Sequence, residues 1–151
     1  MPADKTRKLE VVMKKTIAVF LTLLCLSALS GCGRTSDVKI DYGASAVYSK
    51  ADMDAAIQII KDEFGKWDGC ELYSLCYISD DACSKSIGQM NDLRGSDSTG
   101  DPFTQCIVFA SSFRSPKNGG GAWNPNRIYD WSWYLARTDG GAWELMTWGS
   151  G

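Results

Sequence analysis

The sequence predicts an α+β domain in which an N-terminal helix packs on a curved antiparallel sheet of about four strands. Three features carry that expectation. A capped amphipathic segment runs through residues 49–64, strand-like runs occupy 70–79 and 103–113, and an Asp-Gly pair joins two more such runs near the C-terminus.

Each element has a local cause. Ser49 offers a side-chain oxygen to cap a helix, Asp52 stands at the third helical position as in a capping box, and Tyr48 with Met53 suits a hydrophobic staple. Behind the cap, Met53, Ala56, Ile57, Ile60 and Phe64 recur at helical spacing, with Asp54, Gln58, Lys61 and Asp62 on the other side. Such a stripe is ordinarily a core face and less often a partner groove. Gly65 and Gly69 mark where the helix stops. Residues 70–79 carry apolar side chains at both parities, so both faces of that strand are expected to be covered. Asp80 and Asp81 offer an N-cap for a shorter helix over 82–93, with Ile87, Met90 and Leu93 as its apolar side. Residues 94–102 read as a polar loop. In 103–113, Phe103, Ile107, Phe109 and Phe113 share one parity, opposite Cys106, Val108 and Ala110.

Composition then shifts to Pro, Asn, Lys and Gly over 114–127, with Gly119-Gly120-Gly121 at the centre. Runs over 128–137 and 142–148 flank Thr138-Asp139-Gly140-Gly141. Asp-Gly in that position predicts a hairpin whose two central residues both take positive φ. Trp131, Trp133 and Leu135 share one face of the first arm, and Trp143 and Leu145 share one face of the second.

Ahead of the domain lies a different kind of sequence. Lys14 and Lys15 precede an apolar run over 17–28, and Leu29-Ser30-Gly31-Cys32 closes it with small residues and a cysteine, the layout of a secretory signal peptide. The run falls well short of the roughly 20 apolar residues of a spanning helix. Its last four residues resemble the bacterial lipobox. That resemblance implies that Cys32 carries acyl chains such as palmitate and becomes the first residue of the mature chain. Residues 1–31 are then signal peptide, in which 1–12 are an extended leader or reflect a start codon upstream of Met13. Residues 32–45 read as a flexible tether, and 46–151 as one α+β domain. The expected location is the extracytoplasmic face of the cell membrane, with the lipid bilayer as partner.

Charge and composition exclude more than they assign. Beyond residue 31 the chain holds 11 basic and 16 acidic groups, a net charge of −5. That sign argues against nucleic acid and against docking by charge on an anionic leaflet. No histidine occurs, which excludes Ser-His-Asp and Cys-His nucleophile systems and the usual His-bearing catalytic zinc sites. Ser36-Asp37-Val38-Lys39 spells S-x-x-K, but its partner motifs S-D-N and K-T-G are missing. No phosphate-loop motif accompanies the glycines. Glu71, Glu144 and Asp130 are the acids best placed for a glycosidase-like pair, although solvent-facing strand positions are their ordinary reading. Asp92, Asp97, Ser98 and Asp101 offer oxygen ligands for calcium without EF-hand spacing, and a solvated loop explains them better. The expectation is therefore no catalytic residue, no metal and no cofactor.

Cys70, Cys76, Cys83 and Cys106 remain once Cys32 is acylated. An even count in an exported chain suggests two disulfides, against the alternative of four buried thiols. Cys70 and Cys76 lie too far apart on one strand to pair, and Cys76 with Cys106 is the preferred bridge. Their spacing lacks the close pairs of structural zinc motifs.

Five of the six tryptophans lie within 123–148, and Gly-Gly-Ala-Trp occurs at 120–123 and again at 140–143. Core packing is the default for rings of this size. Trp123, between Gly121 and Asn124-Pro125, is the one expected to be exposed, where its flat face suits a sugar ring. The glycine and aromatic pattern is similar to that of choline-binding wall repeats, which need several tandem units to build a core.

The element order is similar to the cystatin-like or NTF2-like roll. More particularly, the segments WSWYLAR at 131–137, GGAW at 140–143 and TWG at 147–149, together with the capped helix, resemble small lipoproteins of Gram-positive anaerobes that have no assigned function. This resemblance brings no catalytic residue with it. The leading reading is a non-enzymatic lipoprotein domain of unassigned binding or structural duty; the alternative is a module that binds a cell-wall glycan or small ligand through Trp123 and its neighbours in the glycine loop, and an enzyme comes third.

Overall fold

A computed structural model describes residues 32–95 and 100–150. The expected signal peptide, residues 1–31, lies outside the described residues, as do Asp97 and Ser98 of the calcium candidate. Seven elements follow in order: β1 (Lys39–Asp41), α1 (Lys50–Phe64), β2 (Glu71–Tyr77), α2 (Asp80–Arg94), β3 (Gln105–Arg114), β4 (Ile128–Arg137) and β5 (Glu144–Gly149). The strands form one sheet in chain order, β1 parallel to β2 and the rest antiparallel. A parallel pair needs a crossover, and α1 supplies it.

The α+β class holds, with three corrections. The sheet has five strands and is mixed, and its first strand precedes the helix. The flexible tether expected over 32–45 is not free chain. Gly33 N–H donates to Gly65 O (3.0 Å), Arg34 N–H to Cys70 O (2.8 Å) and Leu72 N–H to Arg34 O (2.9 Å), and Ile40 sits opposite Leu75 in β1. A Cβ on Gly33 would collide with the Phe64 carbonyl oxygen, so the backbone itself is packed there. Finally, α2 also lies against the sheet, on β3, β4 and β5, so two helices and not one pack with the strands.

Local chemistry explains both helices. Ser49 caps α1 with a reciprocal box: Asp52 N–H donates to Ser49 Oγ (3.1 Å) and Ser49 N–H to Asp52 Oδ2 (3.0 Å). The stripe Met53, Ala56, Ile57, Ile60 and Phe64 is buried as its spacing requires. For α2 the cap is Ser79, one residue before the expected aspartates, and it accepts from Ala82 N–H. Asp80 is freed for other work. Its carboxylate accepts from Ser45 Oγ, Tyr77 Oη (2.6 Å) and Ala46 N–H (2.8 Å), clamping the start of the domain to the end of β2.

Two bulges decide which side chains reach the core. Leu72 faces Phe113 and Ser74 faces Ser112, so Tyr73 is an extra residue in β2. Leu72 and Leu75 therefore share one face although their parity differs, which is why the run looked apolar on both sides. A second irregularity, at Met146 in β5, sets Leu145 opposite Leu135 and Trp148 opposite Trp133 on that same face. The α1 face is aromatic, built on Phe109, Phe113 and Trp133, all fully buried. The opposite parity carries smaller buried groups, Cys106, Val108 and Ala136, and α2 contributes Cys83 and Met90 to the buried core.

Among the described residues the cysteines are unpaired. Register places Cys76 opposite Ala110 and Cys106 opposite Ala136, so Cys76 and Cys106 are several residues out of step and the expected bridge is not formed. Burial pushes the Cys106 thiol up to about 12 and raises those of Cys83 and Cys70, leaving them as packing groups with little thiolate.

Candidate functional site

The site begins where α1 ends. After Gly65 the chain turns tightly, with Trp67 N–H donating to Phe64 O (2.9 Å) and Cys70 N–H to Trp67 O (3.1 Å). This places the Trp67 ring among Phe64 (5.0 Å between centroids), Trp133 (5.2 Å, stacked), Trp131 (5.3 Å), Phe113 (5.6 Å) and Trp123 (5.8 Å). Trp67 is the hub of the aromatic group. Sequence reasoning passed over it because it stands alone, far from the C-terminal tryptophans; the signal was an aromatic between two glycines directly after a helix.

The opposite wall is the loop between β3 and β4, and one buried serine organises it. Ser115 N–H donates to Arg127 O (2.9 Å), its hydroxyl donates to Asn124 O (2.6 Å), and it accepts from Arg127 N–H (2.9 Å). Pro116 O receives Gly119 N–H (3.0 Å) and Asn126 N–H (2.9 Å), while Trp123 N–H closes on Gly120 O (3.0 Å). Gly119 must be glycine twice over: its φ is +70° and a Cβ would lie 2.8 Å from Trp123 O. The loop is thus fixed by its own backbone before any ligand arrives.

Trp123 is not the freely exposed indole expected from its glycine setting. It is half-buried, packed on Trp131 (5.1 Å), Tyr129 (5.1 Å) and Phe113 (5.4 Å). Its remaining surface borders a hollow of about 510 Å³, with Asp68 and Gly69 on one side and Pro116, Gly119, Gly120, Gly121 and Trp123 on the other. A Cβ on Gly69 (φ +73°) would come within 3.1 Å of the Pro116 ring, so the two walls lie close together there. Asp68 is the one ionisable side chain among the lining residues. An indole flank, bare peptide groups and one carboxylate can bind a ring and accept its hydroxyl or ammonium hydrogens. They do not make a nucleophile and base pair.

The remaining sequence candidates do not converge. Glu71 is paired with Arg34, Asp130 stands opposite Ser112 near one end of the sheet, and Glu144 stands opposite Ala136 at the other. No carboxylate pair across a cleft results. Asp101 lends its backbone carbonyl to Arg94. Among the described residues no three His, Cys, Asp or Glu side chains are grouped to hold a metal ion, and no helix is long and apolar enough to cross a membrane. Cys32 is exposed at the start of the described chain. Compared with known proteins, the chain matches no family model, no curated sequence and no solved structure.

Proposed function

We propose that this is a non-enzymatic ligand-binding domain held at the extracytoplasmic face of the cell membrane by acyl chains on Cys32, and that the hollow beside Trp123 is its binding site. The observation that carries the reading is the pre-formed hollow itself. A loop braced by Ser115 and three glycines holds a half-buried indole against open space, with Asp68 across from it. The order of charge, apolar run, small residues and cysteine at 14–32 supports the anchor.

The ligand is a small ring compound with an apolar face, and a sugar unit of a cell-wall glycan fits that description. Stacking on an aromatic face supplies the contact, and Asp68 makes neutral or cationic ligands favoured over anionic ones. Titrating the soluble domain, residues 33–151, with soluble cell-wall glycan fragments tests this. Shifts confined to the Trp123 indole and to Gly119–Gly121 are expected, and both binding and shifts should vanish in Trp123→Ala. Binding that survives in Trp123→Ala, or fragments that leave these resonances unmoved, would sink the assignment.

A further inference from the structure

The hollow and the anchor lie at the same end of the molecule. Arg34 bridges to Glu71, Glu71 pairs with Arg114, and Arg114 pairs with Ile128, so these four residues form a row across one end of the sheet. Asp68 and the glycine loop project beyond that row, and Gly33 is bonded to Gly65 beside it. Only one peptide link, about 3.8 Å between Cα atoms, separates Cys32 from backbone that is already fixed. A lipid on Cys32 therefore cannot hold the domain far from the bilayer.

Two further properties mark this end. Ile128, which opens β4 directly after the glycine loop, is 52% exposed. Charge is also unevenly spread. Residues 32–35, 61–71 and 114–130 hold six basic groups (Arg34, Lys61, Lys66, Arg114, Lys117, Arg127) and five acidic ones (Asp62, Glu63, Asp68, Glu71, Asp130), a net of +1 within a domain of −5. The rest of the domain is then −6, and an anionic leaflet repels it while tolerating this end.

We propose that the end of the domain bearing Ile128 and the glycine loop rests on the lipid bilayer, so that the hollow opens at headgroup level. This rests on the lipid anchor at Cys32. Contact is made by Ile128 and the Gly120–Ala122 tip, and the aspartates at the far end point away from the membrane.

The two Gly-Gly-Ala-Trp indoles provide the test, because Trp123 sits at this end and Trp143 bonds to Asp52 O in the first turn of α1, roughly 20 Å away along the helix. The acylated protein, purified from a host that processes lipoprotein signal peptides, is placed in nanodiscs of phosphatidylglycerol and phosphatidylethanolamine carrying a nitroxide-headgroup lipid. The Trp123 indole N–H signal should broaden several-fold more than that of Trp143. A flexible Gly-Ser linker of about ten residues inserted between Cys32 and Gly33 should weaken the difference, as should Ile128→Ser. Equal broadening of both indoles in the acylated protein, or stronger broadening of Trp143, overturns the docking and leaves the anchor standing. An N-terminal peptide whose mass shows no acyl chain on Cys32 overturns the anchor and the docking with it.

Discussion

The chain writes Gly-Gly-Ala-Trp twice and folds it two ways. At 120–123 the first two glycines take positive φ, the tryptophan amide turns back onto Gly120 O, and the indole is left half-buried at the rim of the hollow. At 140–143 only Gly140 has positive φ, and Trp143 is driven under the start of α1. There its N–H donates to Asp52 O (3.1 Å), Arg137 stacks on it at 4.1 Å, and Tyr48 meets it edge-on at 5.7 Å. The tetrapeptide fixes a turn and leaves the fate of the ring to its neighbours. Arg137 and the N-terminal end of α1 claim one indole, while a loop closed on Ser115 leaves part of the other bare.

That contrast can be broken most sharply by deletion. Trp143→Ala should cost about 3–5 kcal/mol in urea unfolding, the range for a buried large aromatic. Trp123→Ala should cost about 1–2 kcal/mol, because less of its apolar area leaves water, while abolishing ligand binding. Equal losses for the two would show that their surroundings do not distinguish them. A similar effect of about 1–2 kcal/mol is expected for Gly119→Ala, from a left-handed residue given a side chain. Its decisive readout is displacement of the Trp123 resonances, since the new Cβ presses on Trp123 O.

The subtlest prediction concerns pH. The Ser45 hydroxyl, then Tyr77 and the Ala46 amide, hold Asp80 below its usual 3.8, and the Ser49 hydroxyl and amide, then Arg137, do the same for Asp52. Carboxylates depressed in the folded state contribute stability that is fully present above the unfolded value and lost as pH falls through the folded one. Thermal midpoints should thus fall below about pH 4, and Asp80→Asn should flatten that fall while Lys85→Gln, altering an exposed ion pair, should not. An unchanged acid slope in Asp80→Asn would assign the loss elsewhere.

What the sequence disclosed follows the reach of its interactions. The α1 cap and stripe were legible because the serine box and the 3.6-residue spacing act within one helix. β1 was not, because Lys39–Asp41 is three residues in a polar stretch and becomes a strand only through its pairing with Ser74, Leu75 and Cys76. The Asp-Gly turn was foreseen, but with both central residues at positive φ, and only Gly140 is; the loop is longer than a two-residue hairpin because β5 does not begin until Glu144. Half of the site was visible in Trp123 and its glycines. Trp67 and Asp68 were hidden, since nothing local says that the residues after α1 will meet a loop some fifty positions later.

Spatial order equals chain order in this sheet, with β1 and β5 at its two edges. As the polypeptide emerges N-terminus first, no strand has to be inserted between two neighbours that are already paired. Each new strand finds its neighbour already present, and the β3–β4 and β4–β5 pairings join adjacent segments of chain. Such local pairing lowers the entropy lost in closing loops and favours rapid folding. Pairing of β5 with β4 seats Trp148 on Trp133 at 5.7 Å, so a sheet still lacking β5 leaves that side of Trp133 open to any chaperone or protease nearby.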